Sequence, residues 1–340
     1  MSIGSRDARR RDEGQVRKHA QRALVVALCL LVALAFAGSM MLGPDGLGLP
    51  EGGDALRLVL VEIRLPRALL GLLVGGALGL AGAALQGYLR NPLAEPGLLG
   101  MAGGASLGAV IAIHTGAAGL LSFALPLGGL AGATIATLAV VLLAGQGSVP
   151  VTLILAGVAM SSVAGALTSL VLNLAPNPFA SVEMVYWMMG SLNDRSLEHV
   201  FIAAPLIMVG SLVLLSTRRW LDALSLGELA AQNLGGSPAA LRLRIVFGAA
   251  MAVGAATSVT GAIGFVGLVV PHLLRPFVAY EPGRLLVPSF LGGAALILIA
   301  DIALRLLSPA GDLKLGVLTA LIGAPFFLWL VLASRREFGA

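Results

Sequence analysis

Few residues in this chain have the type and spacing for covalent or acid–base chemistry. Its two lysines, Lys18 and Lys314, do not follow glycine, so the G-K-[ST] turn that cradles phosphates in a Walker-type ATPase is missing. The four histidines (His19, His114, His199 and His272) are scattered, with no pair at the helical spacing that would hold a metal. No serine is read at the strand-to-helix elbow of a hydrolase. Cys29 is the only cysteine, which excludes an internal disulfide, and inside an apolar run it reads as a small packing residue. Asp301 and Arg305 stand four apart, the spacing at which opposite charges pair on a helix. An enzyme acting in its own right is disfavoured, and the chemistry left to the chain is that of charge placement and packing.

The elements that must position those charges follow from composition. Of 340 residues, 58% are hydrophobic and 11% charged, against roughly 25% charged in a soluble domain. A pI of 10.1 suggests a nucleic-acid binder, but the excess is local. Residues 1–22 hold seven Arg or Lys against three acids, and the other 318 hold 15 against 14, so no basic stripe is left for a phosphate backbone. A hydrocarbon core of roughly 30 Å needs about 20 apolar residues per helical crossing. Ten runs qualify: 23–42, 65–89, 98–115, 122–144, 150–173, 200–217, 241–260, 262–280, 285–306 and 315–333, the eighth interrupted by Pro271, His272 and Arg275. They are continuous and not alternating, which favours helices over barrel strands. The first, 20 residues long with no small-residue cleavage site after it, reads as a retained span and not a signal peptide. The expected fold is an all-α integral membrane protein, a ten-span helical bundle over 23–333 with a basic tail at 1–22 and a short tail at 334–340. With both termini cytoplasmic, 16 of the 22 basic residues face the cytoplasm and six face outward (Arg57, Arg64, Arg67, Arg195, Arg305 and Lys314), as the positive-inside rule favours. The outer side also takes Asp45, Glu51, Asp54, Glu62, Glu183, Asp194 and Asp312.

Two connections are long. The outer segment 174–199, with Tyr186 and Trp187, predicts a short interfacial helix. The cytoplasmic segment 218–240 is too polar to span, keeps Leu221, Leu224, Leu229 and Leu234 as an apolar stripe, and stops at Gly-Gly before a proline. It predicts one amphipathic helix offered to a partner, a plain connecting loop being the alternative. Gly71, Gly75, Gly79, Ala83 and Gly87 form a small-residue strip that lets another helix approach closely. Residues 79–90 and 261–275 share small-residue spacing and no more. Inside the spans little is polar beyond Gln86, Asn173 and His272, and His272 reads as a hydrogen-bonded structural residue. Ion-coupled carriers keep several ionisable groups near the midplane, so the energy for transport is expected from another subunit.

RLPR at 64–67, QGYLRNPLAEPGLLGMAGGASLG at 86–108, LSLGELAAQNLG at 224–235, GAIGFVGLVVPHLLR at 261–275, ADIALR at 300–305 and GVLTALIGAPFFLWLV at 316–331 occur in that order. Together they resemble the permease subunits of type II ABC importers, the family that takes up iron-siderophores, haem and cobalamin. The resemblance implies a homodimer in the bacterial inner membrane with the pathway at the dimer interface. It also implies two cytoplasmic ATPase subunits carrying ATP and Mg, and a periplasmic substrate-binding protein. No cofactor or metal is expected on this chain, and no nucleic acid. Segment 221–235 matches the family's coupling helices, with Leu224, Leu226, Gly227, Glu228, Ala231, Leu234 and Gly235 as the ATPase contact; Glu228 is otherwise a solvated helix charge. Arg64, Arg67 and Arg305 fall where similar permeases present arginines to the binding protein, and a guanidinium fork suits carboxylates. The other readings are snorkelling anchors or, for Arg305, the pair with Asp301. Asn91 and Leu93 match a cytoplasmic gate in a loop stiffened by Pro92 and Pro96. A second gate uses small hydroxyl residues in the cobalamin branch; the chain reads Pro150–Val151–Thr152 there, which weighs against cobalamin. The expected cargo is an iron chelate, foremost a ferric siderophore, with haem or cobalamin next. An ATP-independent carrier or channel is the alternative of another class, and a structural scaffold leaves the polar segment before Gly-Gly unexplained.

Overall fold

The computed structural model describes residues 3–43, 46–47, 52–121, 123–145, 150–308 and 313–338. Asp45, Glu51 and Asp312, counted above with the outward charges, lie outside the described residues. In chain order the helices are α1 Ile3–Met41, α2 Gly53–Leu58, α3 Leu65–Leu89, α4 Met101–His114, α5 Ala117–Leu120, α6 Ala124–Ala144, α7 Pro150–Asn173 and α8 Pro178–Met188. There follow α9 Leu197–Ser216, α10 Arg218–Ser225, α11 Glu228–Asn233, α12 Pro238–Thr260, α13 Val266–Leu274, α14 Pro282–Leu307 and α15 Leu315–Phe338. A two-residue antiparallel pair, Leu42–Gly43 with Gly46–Leu47, closes the turn after α1. The stretch expected as a separate basic tail is helical from Ile3 onward and continues into the first span.

Among the described residues, eight helices are long and apolar enough to cross a membrane, and two shorter apolar ones, Met101–His114 and Val266–Val278, occupy the third and eighth expected positions. α2 and α3 join through a π-helical stretch at Val59–Arg64 into one rod, Gly53–Leu89. Pro66 explains the widened turn, because it cannot donate to the carbonyl four residues back and its ring crowds that carbonyl. The rod ends where Arg90 turns left-handed at φ 48°. Ser237 begins α12 by accepting from the Ala240 amide, with Pro238 at the first helical position, where its missing N–H costs nothing.

The rod containing α3 is the mast of the bundle. Its apolar window is 83% buried, against 22% for α1 and 28% for both α7 and α15, which stand at the periphery. The glycine strip accounts for the difference. A Cβ on Gly75 would strike the Gly293 carbonyl, one on Gly79 the Ser289 carbonyl, and one on Gly71 would press on Leu298, all of α14. Gly82, on a neighbouring face, meets the Gly267 carbonyl of α13 in the same way. The strip is therefore a packing device against α14, as its spacing predicts.

Helices α4 and Val266–Val278 are only 14 and 13 residues long, roughly 20 Å each, so irregular backbone must complete both crossings. Such backbone survives at membrane depth only where protein satisfies its polar groups. Gln86 does this for both segments. Its Nε2 donates to the carbonyls of Ala94 (3.3 Å), Gly267 (3.1 Å) and Leu268 (3.4 Å), and its Oε1 accepts from Arg275 Nη2 at 2.5 Å. The Glu95 carboxylate accepts from the Phe265 amide at the start of α13.

Candidate functional site

Three clusters hold the residues singled out from the sequence. The first lies between α9 and α12. One amphipathic helix was expected over 218–240; the chain instead forms α10 and α11, broken at Gly227, whose φ of 115° no side-chain-bearing residue adopts easily. The break divides the leucine stripe. Leu221 and Leu224 are buried beneath the ends of α3 and α14, whereas Leu226, Leu229 and Leu234 are 74%, 77% and 66% exposed. Glu228 is exposed in the first turn of α11, Ala231 faces inward, and Gly235 closes the segment at φ 85°. Three large apolar side chains around one carboxylate make a projecting ledge, and an apolar ledge of this kind marks a contact surface. Leu229 was read as part of the stripe but not among the contact residues, and it is the most exposed leucine of the segment.

The second cluster is the loop after α3. Asn91 Oδ1 accepts from the Leu93 amide at 2.9 Å, and the Asn91 carbonyl from the Ala94 amide at 3.2 Å, an Asx-type turn held between Pro92 and Pro96. A cleft of about 280 Å³ opens beside it, bordered by Gln86, Arg90, Asn91, Arg275, Tyr280 and Ser225 of α10. The end of α10, just before the ledge, and the Asn91 loop thus share one cleft, a proximity the sequence does not reveal.

The third cluster joins Arg64, Arg67 and Arg305. Arg67 grips Asp301 with Nε (3.0 and 2.9 Å) and Nη2 (2.7 Å). Arg305 reaches the same carboxylate through Nε at 3.0 Å and Nη2 at 2.5 Å, so the pair expected from the i,i+4 spacing forms. Arg305 also donates to the carbonyls of Ser39 and Leu42 (3.0 Å each) and to Ser39 Oγ (2.5 Å), while Arg64 donates to the Met40 carbonyl at 2.9 Å. The last carbonyls of α1 lack helical partners and carry the negative end of the helix dipole, so guanidinium groups belong there. Arg64 and Arg305 are buried at 6% and 9% exposure, and Asp301 at 2%. The three arginines therefore have a task inside the molecule, tying α1, α3 and α14 together.

Elsewhere, α8 forms within the expected segment 174–199 and buries Met184 and Trp187 against α4, and Lys314 Nζ lies 5.2 Å from the centre of the Tyr186 ring. His272 packs edge-on against Phe326 at 5.6 Å, and its buried Nδ1 has no hydrogen-bond partner among the described residues. Gly104–Gly108 spells G-x-S-x-G, yet Ser106 is buried within α4 and not on an elbow. Among the described residues no group of three His, Cys, Asp or Glu could hold a metal.

The FecCD transport family matches residues 24–333. The vitamin B12 import system permease protein BtuC of Escherichia coli O9:H4 is 38% identical over 315 residues, covering 92% of this chain and 94% of that protein. The hemin transport system permease protein HmuU of Yersinia pestis is 35% identical over 334 residues, 95% and 98% of the two chains. A solved structure described as an inward-facing metal-chelate type ABC transporter superposes with a TM-score of 0.83 at 32% identity, over 92% of this chain and 99% of the other.

Proposed function

The chain belongs to the FecCD transport family and is a multi-pass permease of an ABC importer for cobalamin, haem or a metal chelate; from that premise we propose that its own cargo is an iron chelate moved into the cytoplasm. The observation that carries the permease reading is identity of 35–38% to import permeases along more than nine-tenths of the chain. In this reading the protein works as a homodimer in the bacterial inner membrane, with ATP hydrolysed on two separate subunits at the α10–α11 end. That end is cytoplasmic, both termini with it, and a periplasmic binding protein delivers cargo at the Asp301 end. The ledge of Leu226, Glu228 and Leu234, with Leu229 added, is the ATPase contact, and Gly227 and Gly235 allow its shape. Asn91 and Leu93 gate the exit beside it. Arg67, the most exposed of the three arginines at 16%, is the one best able to share its fork with a carboxylate of the binding protein.

Within the chelates, a ferric siderophore is the reading drawn from the sequence. A tetrapyrrole cargo is the second, favoured by the names of the relatives above. Uptake into vesicles carrying the assembled importer, with labelled ferric siderophore, haem and cobalamin supplied in turn, decides between them. ATP-dependent accumulation of the siderophore alone is the expected result, and accumulation of haem or cobalamin instead overturns it. Glu228→Ala and Gly227→Val should leave the permease folded and the ATPase active while uptake falls about tenfold or more, since a lost interface anchor commonly costs 1–2 kcal/mol. Wild-type uptake in both variants removes the ledge from the coupling path.

A further inference from the structure

The sequence pointed to the ledge and passed over Asp222, which lies on the anchored half of the same segment. Asp222 Oδ1 accepts the Gly283 amide at 2.7 Å. Gly283 is the second residue of α14, and the first, Pro282, has no N–H to give, so this is the first backbone donor of the helix and it is taken by α10. The fit is close on both sides. A Cβ on Gly283 would press into the Arg218 carbonyl and the Asp222 carboxylate, and one on Gly87 would meet Pro282 and Leu221. With Leu221 fully buried, α10 sits in a notch cut by Gly87, Pro282 and Gly283. α11 has no such seat: beyond Gly227 its leucines are exposed.

We infer that Asp222 is a positioning residue for transport, the joint that fastens the ledge-bearing segment to α14. The inference rests on the reading of the ledge as the ATPase contact. Displacement of α11 has two ways to go. It can be absorbed by the turn at Gly227, or it can pass through α10 into the membrane-spanning body. The Asp222–Gly283 bond and the notch forbid α10 to slide on α14, so the second route is taken. α14 is continuous over 26 residues, about 39 Å, is interlocked with α3 at Gly75 and Gly79, and carries Asp301 and Arg305 in its last seven residues. A pull at Gly283 therefore moves α3 and α14 as one body.

The test uses the complete importer in lipid nanodiscs and vesicles. Asp222→Ala should leave ATP hydrolysis and complex assembly near wild type and lower the cargo imported per ATP about fivefold, the shift expected from losing one capping acceptor. Asp222→Asn keeps an acceptor at the same place and should restore the ratio to within about twofold. Gly283→Ala, whose Cβ presses on the Arg218 carbonyl and the Asp222 carboxylate and so pushes α10 away while the acid itself is kept, should reproduce the loss. Spin labels on Ser225→Cys and Arg284→Cys, in a Cys29→Ser background, should give a narrow distance between the two labels of one protomer in the otherwise wild-type importer with and without ATP, and a distribution that broadens with ATP when Asp222→Ala is added. Hydrolysis and uptake falling together, no rescue by Asp222→Asn, or an unbroadened distance overturns the inference. If Glu228→Ala uncouples while Asp222→Ala keeps the wild-type ratio, the joint alone is wrong; if neither does, the ledge reading falls.

Discussion

Asp301→Ala lowers the stability of the folded permease by about 3–5 kcal/mol, the range for removing one partner of a buried ion pair. The carboxylate is 2% exposed and receives four nitrogen donors from two guanidinium groups that lie on different helices. Its loss leaves Arg67 and Arg305 facing one another across the space it occupied, with Arg64 on the neighbouring carbonyl of Met40. Among the described residues, the oxygens that Arg305 keeps, those of Ser39 and Leu42, are neutral. The check is thermal unfolding of purified protein in detergent, followed by tryptophan fluorescence. A double variant with Arg67→Met should recover part of the loss, because one unpaired charge leaves with the substitution. An unchanged midpoint in Asp301→Ala would mean that water already hydrates the cluster. The same network governs how docking is tested. Reversing Arg67 to Glu sets a second carboxylate against Asp301, so a loss of docking after that change reports on folding first.

Gly79→Leu should abolish accumulation of folded protein, and Gly79→Ala should cost about 1–3 kcal/mol, the usual penalty of overpacking a close contact. At Gly79 the obstacle to a Cβ is the Ser289 carbonyl, with the Gly293 Cα beside it, and backbone cannot turn aside as a flexible side chain would. Lipid supplies no hydrophobic drive to hold two helices together once their contact is lost. Gly97 is the control. No atom lies within 4 Å of the Cβ it would gain, so Gly97→Ala should stay within about 0.5 kcal/mol of wild type. Yield of monodisperse protein and its unfolding midpoint read both effects. Equal behaviour of the Gly79 and Gly97 variants would show that α3 and α14 separate without penalty.

What the sequence made legible was whatever depends on local pattern. The ten apolar runs follow from hydrocarbon thickness, and the strip at Gly71, Gly75 and Gly79 from a period of four. The pairing of Asp301 with Arg305 follows from helical spacing. What it hid depends on partners far along the chain. Asp222 looks like any polar residue of an amphipathic turn until Gly283 is brought to it. Gln86 looks like a stray polar group until the two irregular segments it serves are seen to meet. The arginines drew notice as outward charges, but the α1 carbonyls that hold two of them carry no side-chain signal at all. The split of segment 218–240 was within reach, because a lone glycine in a helical pattern warns of a break; the leucines on either side concealed it by continuing the stripe.

The interlock of α3 with α14 also sets an order of events at synthesis. Leu307, the end of α14, lies 218 positions beyond Leu89, and a contact between segments so distant along the chain forms late. α3 enters the bilayer early, its glycine face unclothed, and waits while the intervening helices are inserted. Only when α14 arrives does that face find the backbone shaped for it, and α10, made shortly before, is then fastened beneath. A ribosome that stops before Leu307 leaves behind a chain with many of its spans in place and its central seam open. Such a chain can pair its glycine face with a neighbour's or be recognised by membrane proteases, so completion of the last quarter of the sequence decides whether the first half is kept.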